Sequence, residues 1–491
     1  MGIMLRYHIV EQLEGRFEPS LFLRRIIMQR NGEWTNWYRV IIGATEALIL
    51  LISYFISFFI RYGRYVPLRN FQAFQGAIPW ILIIFIVFNL LFGIYVLYNK
   101  SKGDIFFITL IIQALLAVVA MVLSFVGRWF AFPRSVILID FFVSTLLIYA
   151  FRALVFSMYR RYASNKRVMI VGEEEEVFPA IFNFKSSKST RHIVTHVVID
   201  HYYDNVKARL DEFDIVYLAS QIEEEEKLRL YSLLMAEDKK LFLNSKFENL
   251  VMVNPNIMNF EDESIIETSD FKIPADQALI KRLLDIIVSL VLLIIASPIM
   301  LVTALLVKLT SKGPVFYRQT RITKGNREFE IYKFRTMTAT AEDSTGPVIA
   351  TKNDARITGI GKYLRSLRID ELPQLFNILN GDMSLVGPRP ERPFFVEQFQ
   401  EQNPHYYLRH NVPAGLTGYA QVYGKYATDF NSKLNFDLIY IKTYSIILDF
   451  KILLQTIKIL FDKVSSSGVD EESKQVVDRE AIKKMNIQVI D

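Results

Sequence analysis

Two carboxylic acids stand side by side at Asp370 and Glu371, immediately ahead of Leu372-Pro373, and cationic residues gather around them in the sequence. Arg365 and Arg368 lie just upstream. Lys333 and Arg335 belong to Tyr332-Lys333-Phe334-Arg335-Thr336-Met337, and Arg389 to Gly387-Pro388-Arg389-Pro390-Glu391. Pro373 biases Leu372 away from helical geometry, which puts the acid pair at or near a helix start. Read alone, the pair is accounted for as an ordinary N-cap worth about 1 kcal/mol, and each arginine as part of a solvated basic face. Read together, so much cationic charge about two acids is what a phosphate site requires. In such a site a carboxylate can act as nucleophile, forming an acyl phosphate and splitting one displacement into two. Farther along, Asp437 in Phe436-Asp437-Leu438-Ile439-Tyr440-Ile441 is either another acid of the site or a surface acid on an amphipathic helix. His405 and His410 could shuttle protons, but nothing in their spacing demands it.

These residues belong to segments that come in a fixed order. A long apolar run interrupted by Ser297-Pro298 is followed by Gly313 to Arg321, Tyr332 to Met337, Gly361 to Leu379 (GKYLRSLRIDELPQLFNIL), Ser384 to Glu391, and Pro413 to Val422. In this order they resemble the bacterial sugar transferase family of polyprenyl-phosphate phosphoglycosyl transferases. With the parts that precede them they resemble its long-form members, which initiate capsule, exopolysaccharide or O-antigen synthesis. The resemblance implies transfer of a sugar-1-phosphate, glucose or galactose being the expected sugar, from a UDP-sugar to undecaprenyl phosphate. It implies that Asp370 attacks the sugar-bearing phosphate and releases UMP, that Glu371 orients or deprotonates groups there, and that Mg²⁺ is contacted through Asp370. Arg365 and Arg389 would then bind phosphates with Arg335 adding its charge, Lys333 would face the nucleotide, and Asp437 would be a further site acid.

The elements that must position this chemistry begin with the interrupted run. Leu283 to Val307 is long enough to cross a bilayer, and a fifth crossing is the plain interpretation. However, Lys281 and Arg282 precede it while Lys308, Lys312, Arg318 and Arg321 follow it, so both ends ask to be cytoplasmic. In its middle Pro298 removes a backbone donor, and Ser297 can satisfy the carbonyl so released. A reentrant helix over 281–308, entering and leaving one leaflet, resolves the conflict.

Upstream, apolar runs at Val40 to Ile60, Ile78 to Tyr98, Ile105 to Val126 and Val136 to Leu154 make a four-helix transmembrane bundle over 39–160, after an N-terminal cytoplasmic segment 1–38 that shows no secretory signal. Arginines before the first run and after the fourth place both ends in the cytoplasm. Glu46 and Asp140 sit near run ends, where interfacial solvation accounts for them. From 161 to 270, short β-branched stretches alternate with charged helical segments, the pattern of a small α/β Rossmann-like domain. There Gly172 is followed by Glu173, Glu174, Glu175 and Glu176 instead of a glycine fingerprint, and four carboxylates would repel a pyrophosphate. A structural or regulatory domain is therefore expected, and with it a homo-oligomer. His192, His196 and His201 follow a strand alternation and lack carboxylates at ligand spacing. Residues 271–463 form a mainly α catalytic domain, and 464–491 a polar tail.

Composition agrees: hydrophobic residues make up 51% of 491 residues and pile up in long runs, as in a membrane protein. The absence of cysteine excludes disulfides, thiolate metal sites and a cysteine nucleophile. The formal charge of +6 gathers beside apolar runs, which points to anionic lipid or phosphate; no nucleic-acid motif accompanies it. The expected setting is the bacterial inner membrane, with the catalytic domain on its cytoplasmic face. Two other functions weigh against this one: a nucleotide-sugar oxidoreductase or dehydratase, disfavoured by the missing fingerprint, and a catalytically silent scaffold, disfavoured by the intact acid pair and Arg389.

Overall fold

The computed structural model of the protein describes residues 37–96, 100–162, 165–185, 191–311, 313–337, 356–424, 429–460, 482, 485 and 487–490. Most of the expected segment 1–38 and most of the tail 464–491 lie outside them. The chain divides into two compact units, Met1–Phe242 with Val477–Asp491, and Leu243–Val476.

The first unit opens with four helices, α1 (Trp37–Tyr62), α2 (Leu68–Leu91), α3 (Lys102–Val126) and α4 (Arg134–Tyr162). Each is apolar and long enough to cross a membrane. Their inner faces are polar where the sequence suggested interfacial solvation. Glu46 of α1 is fully buried and takes Arg152 Nε and Nη2 of α4 at 2.7 Å each. Arg152 also donates to Asn89 of α2 at 2.5 Å and Thr109 of α3 at 2.9 Å, so one guanidinium ties four helices together. Asp140 is likewise buried and accepts Ser53 Oγ at 2.6 Å. Arg152 pairs with Glu46 and Ser53 bonds Asp140, as a lone charge in hydrocarbon would cost several kcal/mol.

After α4 come β1 (Lys166–Val171), α5 (Glu174–Lys185), β2 (His192–Val198), α6 (Tyr202–Lys207), β3 (Ile215–Leu218), α7 (Glu224–Ala236) and β4 (Lys240–Leu243). β1 pairs in parallel with β2 and β3, so this is a mixed α/β part with a parallel sheet. Gly172, at φ +147°, ends β1 where a Cβ would meet Ser220, and the next amide, of Glu173, donates to Ser220 Oγ at 2.8 Å. The tail contributes what its composition concealed: Gln488–Ile490 pairs in parallel with β2 as an edge strand, with Ile482, Ile487 and Ile490 buried.

In the second unit, α8 (Phe247–Val251) and a hairpin of β5 (Asn256–Phe260) and β6 (Glu263–Glu267) lead to α9 (Ala275–Thr310), a 36-residue helix that runs through Pro298. Pro298 has no N–H for Ile294, and Ser297 Oγ donates to that carbonyl at 2.8 Å. There follow an antiparallel pair β7 (Phe316–Ile322) and β8 (Glu328–Phe334), then α10 (Gly359–Ser366), α11 (Gln374–Asn380) and β9 (Met383–Val386). Last come α12 (Pro393–Gln402), β10 (Ala414–Thr417), which pairs in parallel with β9, and α13 (Tyr419–Tyr423), α14 (Phe430–Lys442) and α15 (Ile446–Leu460). Ile378, Met383, Val386, Tyr406, Leu438 and Ile452 form the centre of the core.

Helix α9 is docked on this unit along its length. Lys281 pairs with Asp449 at 2.6 Å, and Arg282 donates to Ile378 O and Leu379 O at 2.5 and 2.7 Å, capping the last turn of α11. Asp285 accepts the amide of Leu385 at 3.0 Å. Beside the proline, Ala296 and Met300 pack with Phe334, and Leu372 lies against them.

Candidate active site

The acid pair owes its position to a backbone reversal. Thr358 caps α10 through Gly361 N at 3.1 Å, the helix ends, and Arg368 takes the left-handed conformation at φ +53°. A non-glycine residue there stores about 1–3 kcal/mol of strain. The turn Ile369–Glu371 follows, with both acids buried, before Pro373 and α11. Neither acid is an N-cap: the cap position of α11 is Pro373, which makes no side-chain capping bond.

Glu371 is the electrostatic centre. Its Oε1 accepts Lys333 Nζ of β8 at 3.0 Å and Arg389 Nη2, from the loop after β9, at 2.9 Å; Arg368 stands at 3.8 Å from Oε2. Arg365 is fixed nearby by Thr336 Oγ1 at 2.9 Å. Burial alone would raise the Glu371 carboxyl, but Lys333, Arg389 and Arg368 outweigh it and hold the group well below the usual carboxylate range. Asp370 moves the other way. Burial raises it, the charge of Glu371 adds to the rise, and Lys333, Arg365 and Arg389 offset part of it. Asp370 makes no hydrogen bond among the described residues, so its oxygens are available to a reacting group.

Beside Lys333 and Arg389 lies a small, water-sized cleft, completed by Arg321, Ile331, Gln374 and Pro390. Arg321 Nε and Gln374 Nε2 are buried there without a partner among the described residues. Unpaired buried donors call for an acceptor-rich ligand. Arg321 and Gln374 stand inside sequence segments already singled out, yet neither residue type marked itself as part of the site.

The structure thus gathers Asp370, Glu371, Lys333, Arg365 and Arg389. It does not bring Arg335 to them: this buried guanidinium donates Nη2 to Ser311 O and Oγ at 2.8 and 2.6 Å, beyond the end of α9, and a Cβ on Gly313, at φ +125°, would collide with it. Asp437 is not a surface acid. It is buried against Arg409, whose Nε and Nη2 lie 2.9 and 2.8 Å from Oδ2. Burial pushes Asp437 up to about 6 against the pull of Arg409. The histidines are held in packing: His405 stacks on Phe247, and His410, bonded through Nδ1 to Asn326 at 2.6 Å, is pushed down to about 3 by burial and by Arg409.

A family model described as bacterial sugar transferase matches residues 276–463, the stretch that holds α9 and every residue of this site. A UDP-N-acetylgalactosamine-undecaprenyl-phosphate N-acetylgalactosaminephosphotransferase of Aeromonas hydrophila is 49% identical over 184 residues, 37% of this chain and 43% of that protein. A UDP-glucose:undecaprenyl-phosphate glucose-1-phosphate transferase of Klebsiella pneumoniae is 48% identical over 182 residues, 36% of this chain and 39% of that protein. The matched stretch therefore spans about two fifths of these relatives. A Caulobacter vibrioides protein with the latter name is 41% identical over 182 residues, 36% of this chain and 68% of its own length. In sequence and in the site those residues build, the chain belongs to the bacterial sugar transferase family.

Proposed function

We propose that this protein transfers a sugar-1-phosphate from a UDP-sugar to undecaprenyl phosphate, giving undecaprenyl-diphosphate-sugar and UMP, the first step of a surface polysaccharide. The observation that carries the reading is a buried acid pair whose two members are driven apart: Glu371 stays ionised as the anchor of Lys333 and Arg389, while Asp370, beside them, makes no hydrogen bond among the described residues. An Asp370 oxygen attacks the sugar-bearing phosphorus. A P–O bond forms, the bond to the other phosphate breaks, and UMP leaves with that electron pair. A polyprenyl phosphate oxygen then attacks the same phosphorus, and Asp370 departs as carboxylate. Arg389, Lys333 and Arg365 meet the charge on the transferred and departing phosphates, and the buried donors of Arg321 and Gln374 stand beside them.

One available carboxylate is a donor set suited to Mg²⁺, which takes one or two carboxylates and completes its shell from substrate phosphates and water; among the described residues no larger acid or histidine cluster competes for it. Bound at Asp370, the ion would neutralise diphosphate charge.

The setting we infer is the cytoplasmic face of the bacterial inner membrane, with α9 reentrant. If straight, a helix of this length would measure about 54 Å, far beyond a hydrocarbon core of about 30 Å. Its two ends and its middle all touch one polar domain, through Arg282, Met300 and Arg335, and this favours a helix that leaves the leaflet it entered. The four membrane helices and the α/β part serve oligomerisation or regulation, and deleting them should abolish the oligomer while turnover is retained.

The test is UMP release by the full chain in detergent with undecaprenyl phosphate, Mg²⁺ and a panel of UDP-sugars. Glucose and N-acetylgalactosamine, which the relatives' names carry, and galactose belong on the panel. Release with one donor, lost in Asp370→Asn, supports the reading; no release with any of them returns the scaffold to the front.

A further inference from the structure

The loop that carries Arg389 is latched at four successive carbonyls. Pro388 O accepts Gly415 N at 2.8 Å, Arg389 O accepts Arg409 Nη2 at 2.9 Å, Pro390 O accepts Arg321 Nη1 at 3.1 Å, and Glu391 O accepts Ile322 N at 3.0 Å. Prolines on either side of Arg389 fix φ and offer no amide, so these carbonyls are the loop's means of attachment. Two of the four latches are guanidinium groups. Arg409 is the more deeply held: Nε and Nη2 engage Asp437, and Nη1 donates to Tyr406 OH at 2.6 Å, with all three residues buried. A buried pair of this kind leaves neither partner free to reach a substrate phosphate. It does leave Arg409 Nη2 pointing at the peptide group from which the Arg389 side chain springs toward Glu371.

We propose that Arg409 is a positioning residue for Arg389, and that Asp437 acts on the reaction only through Arg409 and not by touching substrate. The inference rests on Arg389 being a phosphate contact, as proposed above. A shift of about 1 Å in such a group costs on the order of 100-fold in rate. Lysine at 409 can still pair with Asp437 but, as a point charge, cannot fork to Asp437 and the Arg389 carbonyl together.

The experiment is a double-mutant cycle on the full chain. We expect Arg409→Lys to lower kcat/KM for the UDP-sugar by about 10- to 100-fold, and by less than about threefold when introduced into Arg389→Lys, because both changes remove one interaction. The same fold loss in both backgrounds overturns the proposal. The increase in Tm caused by UDP gives a second readout that needs no turnover. It should shrink in Arg409→Lys as it does in Arg389→Lys; a merely structural residue would lower the baseline Tm and leave the increment intact, which also overturns the proposal. Should Arg409→Lys not fold, Asp437→Asn enters the same cycle with the same expectation. A parent that releases no UMP would sink the reaction assigned above, while the UDP increment would still decide the role of Arg409.

Discussion

Replacing Lys333 with methionine keeps the length of the side chain and removes one of the two cations hydrogen-bonded to Glu371 Oε1. At 3.0 Å and an effective dielectric constant of about 20, the pair attracts by about 5.5 kcal/mol before desolvation is counted. Breaking a buried pair costs about 3–5 kcal/mol where the remaining charge is left alone. Arg389 stays at 2.9 Å, so roughly half of that, ~2 kcal/mol, is expected as lost stability at neutral pH. The sign with pH is fixed. Glu371 is depressed in the folded protein, so its contribution is present above the ordinary carboxylate range and fades as pH falls through the folded value; parent and variant should converge in acid. Asp370 supplies the functional readout. Lys333 is among the cations that restrain its rise, so without Lys333 Asp370 is raised further and the carboxylate form, the nucleophile of the proposed reaction, is lost at higher pH. Each ~1.4 kcal/mol removed moves the acid limb of the pH–rate profile up by about one unit. The assay is UMP release against pH, with thermal unfolding of the same samples. A limb that stays in place while the plateau falls would make Lys333 a substrate contact alone, and a limb that moves down would refute the electrostatic account of the pair.

Three more perturbations have definite outcomes. His410 is held down to about 3 when folded but titrates near 6.5 when unfolded, so stability should fall as pH drops between these values, and His410→Asn should flatten that slope of Tm against pH; an unchanged slope would mean that other groups carry it. The chain has no cysteine, so a single cysteine placed at Lys324 reports sidedness directly: reaction with an impermeant reagent from the cytoplasmic face alone is expected, and in Pro298→Ala, where the helix regains an N–H for Ile294, part of the population should become reactive from outside. Labelling of the parent from outside would end the reentrant reading. Truncation after Lys484 removes the edge strand along with Ile487 and Ile490, each worth about 1.5–3 kcal/mol when fully buried, and bares the edge of β2. The truncated protein should melt lower and aggregate more readily; an unchanged Tm would mean that the strand contributes nothing.

What the sequence disclosed depended on how locally each feature is encoded. α1 and α3 begin and end close to the apolar runs at Val40 and Ile105, and α4 begins close to Val136 but continues to Tyr162, past Leu154, because hydropathy over twenty residues is local and the last turns of α4 carry Arg160 and Arg161. α2 was misplaced by about ten residues at its start: its first turns, Leu68 to Gln75, are too polar to count as an apolar run, and the apolar Phe92 to Tyr95 lies beyond its end. β1 and β3 fall where β-branched stretches stand, whereas Gln488–Ile490 is too short to rise above a polar tail and becomes a strand only because β2 offers it an edge. The acids and three of their cations were legible because they sit in dense segments. The partnerships that hold them were not. Glu46 meets Arg152 across 106 positions, and Arg409 joins Arg389 to Asp437 across 20 and 28, distances over which one sequence carries no register. Arg335 shows the complementary case: it is close to the site in sequence, yet the partner its Nη2 takes is Ser311, just past the end of α9.

The position of the acid pair gives α9 a purpose beyond anchoring. Leu372, the residue after Glu371, packs on the cluster formed by Ala296, Met300 and Phe334, directly beside Ser297 and Pro298. Arg282 holds the last carbonyls of α11, the helix that starts just after the pair, and Lys333 lies near the end of β8 while Arg335, the first residue past it, bonds to Ser311. Displacing the middle of α9 would therefore move Leu372, and with it the turn bearing Asp370, while both ends of the helix keep α11 and β8 in place. On the proposed reaction this coupling has a chemical use. The donor reaches Asp370 from water, but the acceptor phosphate is confined to the headgroup level of a membrane by its isoprenoid chain. If α9 is reentrant as proposed, a nucleophile on a turn that packs beside Pro298 would meet both without travelling, and the second displacement would need no domain motion to bring the phosphosugar to its acceptor.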